Sequence, residues 1–94
     1  MDLSDKILYV LSLCRNPSEK IGLISLIVVD KPITTAELNV MNNCHKTFDN
    51  YKVLFQDDFT SGLVKIYSQK DYRGVKRQHF CIDSDVLEDR ISNN

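Results

Sequence analysis

The sequence contains little glycine and lacks the short motifs that mark common enzyme active sites. Only three of the 94 residues are glycine, and none belongs to a glycine-rich phosphate-binding loop. A paired-carboxylate motif and a serine nucleophile turn are also missing. We therefore expect a protein that is not an enzyme and that carries no cofactor.

Cysteine is scarce, and its arrangement argues against disulfides. The three residues Cys14, Cys44 and Cys81 cannot all pair within one chain, and the N-terminus lacks the basic-then-apolar pattern of a secretory signal. We expect free thiols and a cytoplasmic location. Cys44-His45 and His79-x-Cys81 are of metal-ligand type, but without a C-x-x-C pair we favour buried thiols over a zinc site. A nucleophile or redox switch at Cys44 is disfavoured because neighbours on a helix point about 100° apart.

The sequence also has no long apolar run. The longest, residues 21–29, is interrupted by Gly22 and Ser25 and is far shorter than the roughly 20 residues that cross a bilayer. We therefore expect no membrane segment. The chain is 43% hydrophobic and 27% charged, and it has no internal repeat or flexible linker, so one folded domain over residues 1–94 is expected.

The net charge of −1 conceals an uneven distribution along the chain. Residues 1–31 balance, and residues 32–64 contain two basic and four acidic side chains. Residues 65–79 contain five basic side chains and one acidic one, whereas residues 80–94 are acidic again. A local positive field of this kind attracts phosphate groups.

Helical spacing of apolar residues predicts two N-terminal helices. The first, over residues 4–14, has an apolar stripe formed by Leu3, Ile7, Val10, Leu11 and Cys14. Asn16 and Pro17 end it. The second helix, capped by Ser18, is apolar nearly all round and suits a buried position, although its β-branched residues also permit a strand over residues 21–29.

Capping and turn residues predict two further helices. Thr34 or Thr35, followed by Glu37, is typical of a capped helix start, so a short helix is expected over residues 35–41. After a break at residues 42–43, a new helix begins near Cys44 or His45. Its core face is predicted to contain Phe48, Tyr51, Phe55 and Phe59.

The C-terminal third predicts a hairpin and one last helix. Residues 63–68 and 75–82 have the β-branched, alternating character of strands, and the polar stretch between them contains Gly74. Two such strands around a basic turn form a β-hairpin. A short helix capped by Ser84 or Asp85 is expected over residues 84–91.

In this order the segments resemble a winged helix-turn-helix domain. Residues 27–38 are similar to the family's helix, short strand and first helix of the helix-turn-helix. Residues 62–65 are similar to the junction between the recognition helix and the wing. The resemblance covers roughly residues 18–83, between an N-terminal helix in residues 1–16 and a short tail or helix in residues 84–94. It implies an α+β fold, mostly helical, with a C-terminal β-hairpin wing.

The N-terminal helix resembles that of the MarR-like transcriptional regulators, whose members are dimers. This resemblance implies sequence-specific binding of double-stranded DNA by a transcriptional regulator, more specifically a repressor. It also implies a homodimer, for which the first helix offers Leu3, Ile7, Val10 and Leu11.

The candidate DNA contacts lie in three places. Polar side chains near the start of a helix can reach base edges in the major groove; in the helix expected over residues 44–58 these are His45, Lys46, Thr47 and Asn50. The wing near residues 69–77 offers side chains for phosphates or a minor groove, namely Lys70, Tyr72, Arg73, Lys76 and Arg77. Thr34 and Thr35 stand at a helix start, a natural phosphate site, with capping as the alternative role.

Two alternatives to DNA binding stay open at the level of sequence. The near-neutral charge and the acidic residues Asp49, Asp57 and Asp58 also suit a winged helix that docks on transcription or replication machinery. A small metal-dependent enzyme is the third class, and it would require stoichiometric zinc.

Overall fold

A computed structural model of the chain describes residues 1–13 and 15–93. This part of the chain contains six helices and a three-stranded antiparallel sheet, which confirms the α+β class. In chain order the elements are α1 (Leu3–Leu13), α2 (Pro17–Val29), β1 (Ile33–Thr34), α3 (Thr35–Asn42), α4 (Phe48–Leu54), α5 (Gln56–Thr60), β2 (Val64–Lys70), β3 (Lys76–Ile82) and α6 (Ser84–Ser92). None of these helices has the length and apolar character needed to cross a membrane.

Helix α2 begins earlier than the sequence predicted. Its N-cap is Asn16 and not Ser18, because Asn16 Oδ1 accepts the backbone N–H groups of Ser18 and Glu19 at 2.9 and 3.3 Å. Pro17 occupies the first position, where its missing N–H costs nothing and its fixed φ favours the helix. Asn16 and Pro17, which were expected only to end the first helix, therefore start the second. Residues 21–29 are helical, so the strand alternative for them is wrong.

Helix α3 starts with the predicted cap. Thr34, rather than Thr35, is in the cap position: its Oγ1 accepts the Glu37 backbone N–H at 3.2 Å, and Glu37 Oε1 accepts the Thr34 N–H at 3.0 Å. This reciprocal capping box satisfies backbone donors that the first helical turn cannot satisfy itself. The helix ends at Asn42, one residue later than predicted.

The next helix begins later than expected and is broken. Its predicted start near Cys44 or His45 is wrong, because Thr47 is the N-cap of α4 and its extended backbone, with ψ 167°, cannot belong to the helix. Residues 44–47 instead form the turn between α3 and α4. A second break at Phe55 separates α4 from α5, so the continuous helix expected over residues 44–58 is also wrong.

The sheet has the strand order β1-β3-β2. β2 and β3 form the predicted hairpin, in which Lys70 stands opposite Lys76 next to the turn. On the other side of β3, Ile33 of β1 pairs with Phe80. This second pairing places the start of α3 beside the hairpin.

The core is centred on Phe80, which is fully buried in β3. Its ring centroid lies 5.3–6.1 Å from four aromatic rings of the α4–α5 segment; they belong to Phe48, Tyr51, Phe55 and Phe59. These are the residues that helical spacing predicted for the core face, and the prediction is confirmed. Offset and edge-on aromatic contacts contribute roughly 0.5–1.5 kcal/mol each beyond area burial, so Phe80 attaches this helical segment firmly to the sheet.

Helices α1 and α6 pack on the same core. Val10 of α1 and Leu87 of α6 are fully buried and belong to the one hydrophobic cluster. Helix α6 starts at an Asp83 cap and not at Ser84 or Asp85, because the Asp83 carboxylate accepts a backbone N–H of the first turn. The predicted end of the first helix at Cys14 lies outside the described residues.

The four side chains predicted for homodimer contact differ in exposure. Val10 is fully buried within the chain and Ile7 is half-buried. Leu3 and Leu11 are 49% and 45% exposed. Val10 therefore stabilises the monomer's own core and is not on the surface, and a homodimer through α1 stays a prediction that rests on the exposed leucines.

Candidate nucleic-acid interface

A groove of about 880 Å³ lies between the start of α3 and the β2–β3 hairpin. One wall contains residues from the β1–α3 region, and the other contains both hairpin strands close to their turn. Seven of the predicted site residues line it: Thr34, Thr35, Lys70, Tyr72, Arg73, Lys76 and Arg77. The β1–β3 pairing thus brings together two sets of candidates that are far apart in the sequence.

Most charged side chains of the groove are basic. They are Lys31, Lys70, Arg73, Lys76 and Arg77, against the two acidic residues Glu37 and Asp71. Arg77 pairs with Asp71 at 2.9 Å, whereas the other four form no ion pair within the described part of the chain. The groove is therefore lined by four positive charges that no ion pair within residues 1–13 and 15–93 neutralises.

Asp71 organises the hairpin turn. Its Oδ1 accepts the backbone N–H groups of Arg73 and Val75 at 2.9 and 3.0 Å, and its Oδ2 accepts Arg77 Nε at 2.9 Å. Burial opposes ionisation of this carboxyl, but the hydrogen bonds from Val75, Arg77 and Arg73 hold its pKa below the usual value. Gly74 supplies the positive φ of 79° that the turn needs. The turn is thus held by a carboxylate that also fixes Arg77.

Tyr72 projects from this turn and is 93% exposed. The Arg73 guanidinium lies over its ring, 5.5 Å from the centroid, which is a cation–π distance. An exposed ring beside a cation offers both a stacking surface and a charge to a ligand.

Thr34 and Thr35 have different surroundings at the start of α3. Thr34 is buried, and its hydroxyl donates to Glu37 Oε1 at 3.0 Å, in addition to accepting the Glu37 N–H. Thr35 is half-buried and lines the groove without such a partner among the described residues. Capping therefore accounts for Thr34, and Thr35 is the better placed of the two to meet a ligand.

The four candidates between residues 45 and 50 do not line the groove. Thr47 and Asn50 form a capping box, in which the Thr47 N–H donates to Asn50 Oδ1 at 2.9 Å and the Asn50 N–H donates to Thr47 Oγ1 at 3.1 Å. His45 is exposed and Lys46 is half-buried. Thr47 and Asn50 therefore have a capping role, and the DNA contacts of all four side chains stay a prediction.

Asn39 sets the position of these candidates, and the sequence analysis missed it. Its Nδ2 donates to the Lys46 carbonyl at 2.8 Å, and its Oδ1 accepts the Lys46 N–H at 3.2 Å and the Tyr51 hydroxyl at 2.6 Å. The Cys44 thiol also donates to Asn39 Oδ1 at 3.4 Å. Burial and the contact with Cys44 raise the pKa of Tyr51, which keeps its hydroxyl as a donor. One side chain thus fastens the turn between α3 and α4.

Two groove residues were missed as well. Lys31 lies in a segment whose charges balance, and His79 was considered only as a metal ligand. In the structure both residues line the groove, and His79 is buried with its Nδ1 2.9 Å from the Arg77 carbonyl oxygen. Lys31 directly precedes Pro32 and a capped helix start, and this position in the sequence could have identified it as a candidate ligand-binding residue.

The metal-ligand pairs of the sequence do not combine into a larger cluster. Among residues 1–13 and 15–93, no three His, Cys, Asp or Glu side chains are arranged to hold a metal ion. Cys44 lies 3.5 Å from the Tyr51 hydroxyl in the network around Asn39. Burial, followed by the charges of Asp30 and Asp83, raises the pKa of the Cys81 thiol.

Comparison with known proteins gives no match to a family model, to a curated protein or to a solved structure.

Proposed function

We propose that this chain binds double-stranded DNA through the basic groove, as a winged helix transcriptional regulator of the repressor type. The observation that carries the proposal is a set of four basic side chains on one concave surface that form no ion pair with any described residue, namely Lys31, Lys70, Arg73 and Lys76. Phosphate groups attract such a set and release counterions when they bind.

The placement of like charges supports the same proposal. Lys70 and Lys76 are directly opposite each other across the hairpin, and like charges in that arrangement destabilise a sheet. A polyanion on this surface would relieve the repulsion. The β2–β3 hairpin would then act as the wing, with Tyr72 and Arg73 at its turn beside a minor groove.

A salt series of DNA titrations tests the proposal. Fluorescence anisotropy with a labelled random duplex should show binding that weakens steeply as salt rises. Arg73→Ala and Lys76→Ala should each weaken binding to all sequences and reduce the salt slope by about 1. Arg77→Ala should weaken it less, because Asp71 already neutralises that guanidinium.

Lys65→Ala is the matched control in this titration. Lys65 is on the same strand as Lys70 but pairs with Asp83 at 2.7 Å and does not line the groove. Its removal lowers the net charge equally, so it should have a much smaller effect than Lys76→Ala. Equal effects of the two variants would mean that only the overall charge matters, and the absence of binding at low salt would overturn the proposal.

A protein-docking winged helix is the second candidate, and one observation favours it. An apolar groove of about 360 Å³ lies between the end of α2 and α3, and Val40 on its edge is 83% exposed. Exposed apolar surface of this kind marks many protein contacts. If wild-type protein fails to bind duplex DNA even at low salt, this surface becomes the better candidate.

A further inference from the structure

Asp58 is a buried carboxyl group without a basic partner. The residue is only 4% exposed, and its Oδ2 accepts no hydrogen bond from any group in the described part of the chain. It belongs to α5 and lines a cavity of about 480 Å³ together with the start of α2 and the end of α6. An ionised carboxylate in such a place would lack the hydrogen bonds that normally offset its loss of water.

The charged groups that face Asp58 come from every element packed around it. Glu19 of α2 and Asp57 of α5 contribute negative charges, and Arg15 and Arg90 contribute positive ones. The Arg90 guanidinium, however, donates to the Ser61 carbonyl at 3.1 Å and forms no ion pair with Asp58. Asp58 therefore has acidic neighbours but no basic ion-pair partner within the described part of the chain.

Glu19 and Asp58 line the same cavity, and neither carboxyl group forms an ion pair within the described part of the chain. Two ionised carboxylates close together repel each other and offer only acceptor oxygens, so such a pair favours one protonated member. Asp58 is buried and its Oδ2 has no hydrogen-bond partner among the described residues, whereas Glu19 is half-buried. Because burial disfavours the ionised form most strongly at Asp58, the proton belongs on Asp58.

We propose that the buried Asp58 carboxyl holds a proton at neutral pH in the cavity it shares with Glu19, and that loss of this proton as the pH rises loosens α5 from the start of α2. Burial, followed by the proximity of Glu19, raises the pKa of Asp58 from 3.8 to about 8. Helix α5 leads through Gly62 directly into β2. The pair therefore makes the attachment of the hairpin to the helical layer sensitive to mild alkali.

The sign of the effect follows from where the proton is bound more tightly. The folded chain keeps the Asp58 proton up to about pH 8, whereas the unfolded chain loses it near the usual pKa of 3.8. The stability of the fold consequently falls as the pH rises through that window and does not change further above it. One proton changes the unfolding equilibrium by up to about tenfold per pH unit.

Urea unfolding between pH 5 and pH 9, followed by circular dichroism, tests the proposal. Wild-type protein should lose stability up to about pH 8, whereas Asp58→Asn should show much less dependence and be the more stable variant at pH 8. The exposed acid Asp49 of α4 supplies the control, since it does not line this cavity and Asp49→Asn should retain the wild-type dependence. Identical pH dependence in wild type and Asp58→Asn would overturn the proposal.

A measurement on the wild-type protein avoids any dependence on a variant's folding. The carboxyl ¹³C resonance of Asp58, followed by NMR, should titrate near pH 8, and in Glu19→Gln, which removes the neighbouring charge, it should titrate at lower pH. An Asp58 resonance that titrates near pH 4 in the wild type would show an ionised group at neutral pH and overturn the proposal.

Discussion

The ring of Phe55 lies directly against Gly22 of α2. A Cβ atom added at Gly22 would stand 2.7 Å from Phe55 Cζ and 2.8 Å from Cε1. The ring cannot easily move away, because Phe55 is fully buried and packed against Tyr51, Phe59 and Phe80. The glycine that interrupts the longest apolar run is therefore the residue that allows α2 to approach the aromatic core.

Gly22→Ala should destabilise the protein although alanine is the better helix former. The intrinsic preference for alanine in a helix interior is worth about 1 kcal/mol, but a forced contact in a well-packed core costs typically about 1–3 kcal/mol. We expect the clash to exceed the gain in helix propensity. The free energy of unfolding, measured by urea titration, should fall.

The partner of this clash can be tested by a double-mutant cycle. Phe55→Leu removes the ring atoms that the new Cβ would meet, so Gly22→Ala should cost less in that background than in the wild type. A Gly22→Ala protein that is as stable as the wild type would contradict the close approach.

The parts of the fold that follow from local signals could be predicted from the sequence. The Thr34–Glu37 spacing gave the start of α3, and the spacing of Phe48, Tyr51 and Phe55 gave the core face of the next helix. The start of that helix was misplaced because Thr47 has asparagine, not glutamate, three residues later. Asparagine forms the same reciprocal cap as glutamate at this position, but only the threonine–glutamate spacing is the familiar capping-box sequence.

The parts that depend on distant contacts could not be predicted. No local pattern pairs Ile33 with Phe80, yet this pairing builds the groove from the α3 start and the hairpin. The density of positive charge located the hairpin half of the groove, and Lys31 on the opposite wall was missed. Asn39 was missed for the same reason, since its partners lie 5 to 12 residues further along the chain.

Asn39→Ala should loosen the turn between α3 and α4. The change leaves the Lys46 backbone N–H and carbonyl without their Asn39 partner, and it leaves the Tyr51 hydroxyl only the Cys44 thiol at 3.5 Å. Leaving such groups unsatisfied costs about 1–3 kcal/mol, and we expect a loss of stability in that range by urea titration. Tyr51→Phe removes only one of these bonds and should cost less than Asn39→Ala.

Asn43→Gly is the matched control for this turn. Asn43 ends α3 in a left-handed conformation with φ 50°, which glycine adopts without strain. This substitution removes the asparagine four residues after Asn39 but keeps the hydrogen bonds of Asn39. The free energy of unfolding should therefore stay within about 0.5 kcal/mol of the wild-type value. Equal losses in Asn39→Ala and Asn43→Gly would mean that the network around Asn39 does not hold the turn.

Acid should open the hairpin turn by protonating Asp71. The pKa of this carboxyl is below its usual value, so its stabilising effect is fully present above the unfolded-state pKa and is lost as the pH falls through the lower, folded-state value. The amide resonances of Arg73 and Val75, whose N–H groups Asp71 accepts, should therefore titrate in NMR spectra at a pH below 3.8.

Asp71→Asn should reproduce the acid state at neutral pH. Without the carboxylate, Arg77 loses its ion pair, and the amides of Arg73 and Val75 should exchange with solvent faster than in the wild type. Asp49→Asn, which changes an exposed acid on α4, should leave both amides as they are. If the two resonances instead titrate at the ordinary pKa of an aspartate, or exchange at the wild-type rate in Asp71→Asn, then Asp71 does not organise the turn.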